Sequence, residues 1–186
     1  MEVAHKGTGA TPLTRAKWLD HGLASLTAHG PSALKADKLA HSLGVSRGSF
    51  YWHFKNLADF HAALLHHWLD VTVGQVVADL THPRTPRQRI HALVERAANN
   101  DAGDLERAVR AWALQADDVQ RMVSEVDAQR VGYLRSCLDE MAPRANNQAR
   151  ALVLYMMAVG TAMVAPTLSS SRRQQVIDEL MHIVDR

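Results

Sequence analysis

The side chains best suited to recognise another molecule lie in the run LAHSLGVSRGSFYWHF, residues 39–54. Its pattern predicts two short helices, at about 35–42 and 46–53, joined by a tight turn. The turn needs a positive φ after Leu43, and Gly44 adopts that conformation without steric cost. Ala40 is small enough for the helices to approach closely. The larger apolar residues form a wedge that sets the angle between the helices: Leu39, Leu43, Val45, Phe50 and Phe54.

The second short helix has an outer surface formed by the residues that are left over: Arg47, Gly48, Ser49, Tyr51, Trp52 and His53. Ser46 precedes this helix, and its hydroxyl is of a type that caps helix N-termini. A helix held from behind in this way can enter the major groove of DNA by its N-terminal end. An exposed Trp52 on so short a helix is hard to explain as core, which favours contact with DNA.

Catalytic and metal chemistry find little support in the spacing of the reactive residues. The chain has eleven histidines, but His61, His66 and His67 are five and one residues apart, whereas helical metal pairs prefer i, i+4 spacing. No HExxH, CxxC, P-loop or GxSxG motif occurs, and Cys137 has no sequence neighbour that would activate it. We therefore expect no enzyme, no cofactor and no metal site, with a regulatory metal ion as an alternative.

Composition and charge favour a folded helical protein with a basic N-terminal part. Apolar residues make up 47% and aromatics only 5%, which favours helices over sheets. Residues 1–56 carry seven Lys/Arg and three acidic residues, a net charge of +4, whereas residues 57–186 have a net charge of −2. A basic head suggests a polyanionic partner; a solvated basic face is an equal alternative.

Features of the chain ends and apolar runs predict a cytoplasmic location. The first residues, MEVAHKGTGAT, lack the apolar run of a signal peptide. The apolar run 151–166 is short for a membrane span and long enough for a buried helix. A single cysteine excludes a disulfide within the chain and fits a reducing cytosol.

Apolar periodicity predicts an all-α protein with two domains. A first helix starts near Pro12 and ends at Gly30-Pro31; a long fourth helix, capped by Asn56, runs to about residue 80. The run THPRTP, residues 81–86, is the clearest joint in the rest of the chain. Further helices are predicted at 86–99, 104–115, 118–142, 146–165 and 172–185. We expect a tail and DNA-binding domain in residues 1–56 and a helical domain in residues 57–186.

The run LAHSLGVSRGSFYWHFKN resembles the helix-turn-helix of the tetracycline-repressor (TetR) family. The resemblance covers about residues 13–70, and the stretches 105–113 and 126–130 more loosely resemble ligand-binding domains of that family. It implies a three-helix DNA-binding head, a connecting helix, a helical effector-binding domain and a dimer formed by the last two main helices. It also implies a regulator of transcription, a repressor rather than an activator by family habit.

Family roles carry over to matching positions. Arg47, Gly48 and Ser49 match residues that read base edges, and Tyr51, Trp52 and His53 match residues that contact phosphates or bases; a local hydrogen bond is an alternative role for His53. Lys55 matches a phosphate contact, and the free N–H groups after Asn56 could bind another phosphate. Three positions depart from the family pattern: Lys35, Ala36 and Leu57. Lys35 is expected to contact phosphate, but it cannot cap its helix. Together the three departures predict fewer phosphate contacts, and therefore a shallower dependence of DNA affinity on salt concentration.

The last two helices are predicted to form a homodimer that holds two heads about 34–36 Å apart on double-stranded DNA with a palindromic operator. The residues expected at this interface are Leu152, Tyr155, Met156, Val159, Met163, Val176, Ile177 and Leu180. The alternative is that helix 146–165 is an internal core helix.

A small-molecule pocket is predicted between the fourth helix and the later ones. Its candidate lining residues are Trp68, His91, Trp112, Met122, Tyr133 and Met156. Apolar walls with a few polar tips suit a hydrophobic or aromatic ligand; simple core packing is the alternative for each residue. A helical scaffold that binds a protein partner, without DNA, is the remaining alternative for the whole chain.

Overall fold

The structure is a computed structural model that describes residues 13–79, 85–99, 103–164 and 168–185. Its N-terminal head is a cluster of three helices. Helix α1 (Arg15–His29) starts where the Thr14 hydroxyl accepts a hydrogen bond from the Lys17 backbone N–H, and it ends at Gly30, whose φ is +72°. A single 3₁₀ turn (Pro31–Ala33) leads to α2 (Ala36–Ser42) and α3 (Arg47–His53). The first helix thus ends where predicted, while Pro12 lies outside the described residues.

The turn between α2 and α3 has the predicted backbone. Gly44 has a φ of +67°, its N–H donates to the His41 carbonyl at 3.1 Å, and the Val45 N–H donates to the Ala40 carbonyl at 3.0 Å. The predicted cap of α3 is wrong in one respect. Ser46 occupies the N-cap position, but its hydroxyl makes no capping hydrogen bond; only its carbonyl does, accepting from the Ser49 N–H at 3.0 Å.

Two side-chain hydrogen bonds, arranged much as in a capping box, start the long helix α4 (Leu57–Asp79). The Asn56 side chain accepts from the Asp59 N–H at 2.8 Å, and the Asp59 carboxylate accepts from the Lys55 N–H at 2.9 Å. This confirms Asn56 as the cap. The Asp59 N–H is therefore already hydrogen-bonded, although the N–H groups after Asn56 were expected to be free to bind phosphate.

Five helices form the rest of the described chain: α5 (Pro86–Asn99), α6 (Gly103–Ala113), α7 (Asp117–Met141), α8 (Asn147–Val164) and α9 (Ser170–Asp185). They start and end within a few residues of the predicted positions. Regular structure in the described residues is entirely helical, which confirms the all-α fold class. Most of the predicted joint at 81–86 lies outside the described residues. No described helix has both the length and the apolar character needed to cross a membrane.

Two hydrophobic cores divide the molecule differently from the predicted domains. The first contains the inner faces of α1 to α4 together with α6 and the first half of α7, including Trp112 and Val119. The second is built from α5, the second half of α7, α8 and α9. The predicted boundary between residues 56 and 57 therefore cuts through one core, and the head packs directly on α6.

Candidate DNA-binding surface and a cleft in the helical body

An aromatic cluster supports α3 from behind. Phe50 is fully buried, and its ring centroid lies 5.5 Å from that of Trp18 on α1 and 5.3 Å from that of Phe60 on α4. Phe54 packs against both Phe50 and Phe60, at 5.1 and 5.0 Å. Because edge-to-face and tilted aromatic pairs stabilise each other beyond simple burial, α3 is held firmly against α1 and α4.

The outer face of α3 is open to solvent. Trp52 is 89% exposed and Tyr51 is 46% exposed. Arg47 and Gly48 are exposed, while Ser49 and His53 are half-buried. Lys35 and Lys55 are exposed at the ends of the chain segment that carries α2 and α3. Leu57 occupies a position where the family pattern has a Lys or Arg, and it packs against the first core.

Arg47 and Tyr51 form a pair on this outer face. The Arg47 guanidinium donates a hydrogen bond to the Tyr51 hydroxyl at 3.1 Å and lies 5.5 Å from the centre of its ring. The hydrogen bond and the charge interaction with Tyr51 raise the pKa of Arg47. The two residues are one helical turn apart, so the pair orients the guanidinium along α3. Sequence reasoning treated the two residues separately and missed the pair.

A second basic residue, Arg15, was also missed. Its guanidinium lies 5.1 Å from the centre of the Phe54 ring, next along the chain to Lys55. No spacing signal could have found this contact, because 39 residues separate the two side chains.

Histidines join helices in this structure. His67 Nε2 lies 2.6 Å from the Asp20 carboxylate, which ties α4 to α1. His61 Nε2 lies 3.2 Å from the Leu34 carbonyl, and the His61 ring packs edge-on to Trp112 at 5.0 Å. Within the described ranges no three His, Cys, Asp or Glu side chains come close enough to hold a metal ion together.

The six predicted pocket residues are not brought together. Trp68 and Trp112 are buried in the first core, and Met122 packs against it. Tyr133 packs against the second core, and His91 pairs with Glu95 on its own helix at 3.4 Å. Met156 alone lines a cleft: it is 62% exposed.

That cleft has a volume of about 680 Å³ and lies between α6, α7 and α8. Its walls are mainly apolar, and its polar lining comes from Arg110, Asp127, Tyr155 and Gln148. Both Asp127 oxygens accept from the Arg110 guanidinium, at 3.1 and 2.8 Å. The Tyr155 hydroxyl accepts from Arg110 at 2.8 Å and donates a hydrogen bond to Asp127.

The cleft's polar end belongs to a larger ion network. Glu106 accepts from Arg110 Nε at 2.9 Å and from Arg130 at 3.2 Å. Burial lowers the pKa of Arg110, but its hydrogen bonds to Asp127 and the charge of Glu106 outweigh this, so the pKa lies above its ordinary value. Burial and the hydrogen bond to Asp127 raise the pKa of Tyr155 to about 12. Both groups therefore keep their neutral-pH protonation states in the folded protein.

Three of the predicted interface residues lie inside the chain. Tyr155 is buried because its hydroxyl joins the ion network, and Ile177 and Leu180 are buried because that face of α9 packs on α5. These three side chains are therefore packed within the protomer, which leaves little of them for contact with a partner subunit. Val159 and Val176 are half-buried against the second core. The other predicted residues, Leu152, Met156 and Met163, are exposed.

Several exposed apolar residues of α8 and α9 were missed: Met157, Val164 and Ile183. The near absence of polar residues from α8 was a signal that two of its faces need an apolar partner. It did not indicate which face meets the chain's own core.

The family model described as "Bacterial regulatory proteins, tetR family" matches residues 19–64, from α1 into α4. A search of curated proteins finds no match. Among solved structures, the chain is similar to a TetR transcription regulator from Haloarcula marismortui, with 15% identity, a TM-score of 0.75, and coverage of 92% of this chain and 96% of the other. It is also similar to the reduced form of NemR from E. coli, with 19% identity, a TM-score of 0.76, and coverage of 91% and 95%. FadR from Bacillus subtilis, in complex with stearoyl-CoA, has 12% identity, a TM-score of 0.72, and coverage of 92% and 97%. These structures show that the shared fold extends over nearly the whole chain.

Proposed function

We propose that this chain, whose N-terminal helices match the model of the tetR family of bacterial regulatory proteins, is a homodimeric transcriptional repressor released from its operator by a small molecule. The observation that carries the proposal is α3: a short helix with an exposed, hydrogen-bonding outer face and a fully buried aromatic support. That combination is what a recognition helix needs in order to enter the major groove without losing its orientation.

The proposed DNA contacts divide into two kinds. Arg47, Gly48 and Ser49 read base edges, with Arg47 forming a bidentate hydrogen bond to guanine. The side chains proposed to contact phosphates, or bases beside them, are Tyr51, Trp52, His53, Lys35 and Lys55. The N–H groups at the start of α4 offer one further phosphate contact, although the Asp59 carboxylate beside them reduces their attraction for an anion.

The proposed dimer uses the exposed apolar face of α8 and α9. Val153 and Met157 of α8 and Ile183 of α9 are exposed there. Contiguous exposed apolar residues of this kind mark association surfaces. A two-fold dimer would present two copies of α3 to a palindromic operator. The proposed activity places the chain in the cytoplasm, where bacterial DNA lies.

Release by a small molecule requires that the ligand binds the free form more tightly than the DNA-bound form. FadR, which has the same fold, was crystallised with stearoyl-CoA. This likeness supports an effector-binding role for the helical body of the present chain. Residues of α4 continue from the head core into the body, which makes α4 the proposed lever between effector and DNA.

Selection of bound fragments from a genomic or random DNA pool would identify the operator and test the proposal. Arg47→Ala should reduce discrimination between operator and unrelated DNA by about 1–3 kcal/mol, whereas Lys55→Ala should weaken binding to all sequences alike and reduce the salt slope by about one. Sedimentation should show an unchanged dimer for both variants. Unchanged discrimination in Arg47→Ala would show that α3 is not the recognition helix.

Addition of the protein should lower in vitro transcription from a promoter that contains the operator; an increase would indicate an activator.

A further inference from the structure

The cleft between α6, α7 and α8 has the size of a small-molecule site. Its volume of about 680 Å³ falls within the range of about 300–1,000 Å³ that such sites occupy. Its walls are apolar residues of two helices: Ala128 and Val131 on α7, and Leu152, Met156 and Val159 on α8. Its polar groups are confined to a few positions, which is the arrangement that fixes a ligand's orientation.

The cleft and the face of α8 that continues onto α9 are neighbouring sides of the helix, and they meet at Gly160. Successive helical residues are about 100° apart, so Leu152 and Met156 on the α7 side are separated from Val153 and Met157 around the helix. Arg150 marks the α9 side, because its guanidinium donates to the carbonyls of Ile183 and Val184 at 3.1 and 2.8 Å. A partner subunit centred on the α9 side of α8 would border the cleft at Gly160 and would leave its α7 wall, Ala128 and Val131, uncovered.

The charges at the polar end of the cleft already balance. Glu106 and Asp127 carry two negative charges, and Arg110 and Arg130 carry two positive charges. The two carboxylates are both hydrogen-bonded to the arginines, and the hydroxyl of Tyr155 is used as donor and acceptor. A charged ligand would add one ion that has no counterion in this partly buried network, which is unfavourable. A neutral hydroxyl, carbonyl or amide adds no such imbalance.

We propose, on the basis of the proposed effector-controlled function, that this cleft is the effector site and that it binds an uncharged amphipathic molecule, with an apolar chain or ring and one hydrogen-bonding end. The apolar part lies between Val131 and Met156, and the polar end contacts Asp127 or Gln148.

The ion network connects this site to α4. Arg130 is bound to Glu106, and its guanidinium lies 5.3 Å from the centre of the Trp68 ring on α4. Trp68 is fully buried in the core shared with the head. A ligand that shifts Arg110 or Asp127 thus acts on groups one contact away from those that position α4.

Three probes with the same eight-carbon chain test the ligand class: octan-1-ol, octanoate and octylammonium, titrated at pH 7 into the full-length protein by calorimetry and by thermal shift. Octan-1-ol should bind at least tenfold more tightly than either ion. Ala128→Leu narrows the cleft from the α7 side and should weaken octan-1-ol binding at least tenfold. Gln129→Leu is the matched control, since it adds the same side chain at the next exposed position of α7, outside the cleft.

Failure of octan-1-ol to bind, equal binding of the three probes, or equal effects of the two leucine variants would each overturn the site assignment. These measurements contain no DNA, so they are independent of the operator experiment. If octan-1-ol binds in the cleft as expected but leaves the operator complex intact, the cleft is a site for uncharged ligands, and the proposed release of the operator by a ligand is refuted.

Discussion

Replacement of Gly22 by alanine should show how closely α1 must approach α4. Gly22 is buried on α1, and a Cβ atom there would lie 2.8 Å from Leu64 Cδ1 and 2.8 Å from Phe60 Cζ. Both neighbours are fully buried, so neither can turn towards solvent. Phe60 in turn packs on Phe50 of the proposed recognition helix at 5.3 Å. One added methyl group therefore strains the contact that supports α3.

The size of the effect follows from two opposing contributions. Alanine gains about 1 kcal/mol over glycine within a helix, and overpacking a tight core costs about 1–3 kcal/mol. Gly132→Ala isolates the first contribution, because Gly132 lies on α7 with nothing within 4 Å of the added Cβ. Gly22→Ala should therefore be less stable than Gly132→Ala by about 1–3 kcal/mol. That difference corresponds to about 2–4 °C in Tm per kcal/mol for a chain of this length.

Urea unfolding and calorimetry of the two variants, at one protein concentration because dimerisation shifts Tm, would measure the difference. DNA binding provides a second readout: Gly22→Ala should lose operator affinity and Gly132→Ala should not. Equal stabilisation by both substitutions would refute the reasoning, since it would mean that α1 and α4 are not in the close contact described.

Other substitutions test the turn, the outer face of α3 and the ion network. Gly44→Ala should cost about 1–2 kcal/mol because an alanine at positive φ is strained, while Gly44→Asn should cost less; equal unfolding free energies would contradict this. Tyr51→Phe keeps the ring but removes a hydroxyl that orients Arg47 and is proposed to contact DNA, so affinity should fall more on the operator than on unrelated DNA; a loss of equal size on all sequences would contradict the orienting role. Asp127→Asn should lower the unfolding free energy by about 1–3 kcal/mol, because it removes the counterion of a partly buried arginine; an unchanged urea midpoint would contradict this. The pKa of Tyr155 is raised to about 12, above its unfolded value of about 10, so stability should fall as pH rises from 10 through 12, and Tyr155→Phe should remove that part of the fall.

The local features of the chain were predictable, because they depend on neighbours in sequence. Gly44 was predicted to have a positive φ, and it does; Asn56 was predicted to cap α4, and it does. The burial of Phe50 and the exposure of Trp52 follow from their spacing on one short helix. The Ser46 cap failed for an equally local reason, since the direction of a small hydroxyl is not determined by its position before a helix.

Predictions that depended on which helix faces which were less successful. Nearly every residue of α8 is apolar, so the pattern could not separate Tyr155, which faces the core, from Val153 and Met157, which face outward. The predicted pocket residues did not come together for the same reason: an aromatic residue on a helix shows that the helix has an inner face, but not what fills it.

The sequence by itself determined the helices, the turn at Gly44 and the identity of the outer surface of α3, because turn chemistry and helical periodicity act over a few residues. Only the tertiary structure decided that α6 packs on the head, that Arg110 meets Asp127 and Tyr155, and that a cleft opens between α7 and α8. Those contacts join residues far apart in the chain, and they depend on how whole helices fill space against one another, which no local pattern specifies.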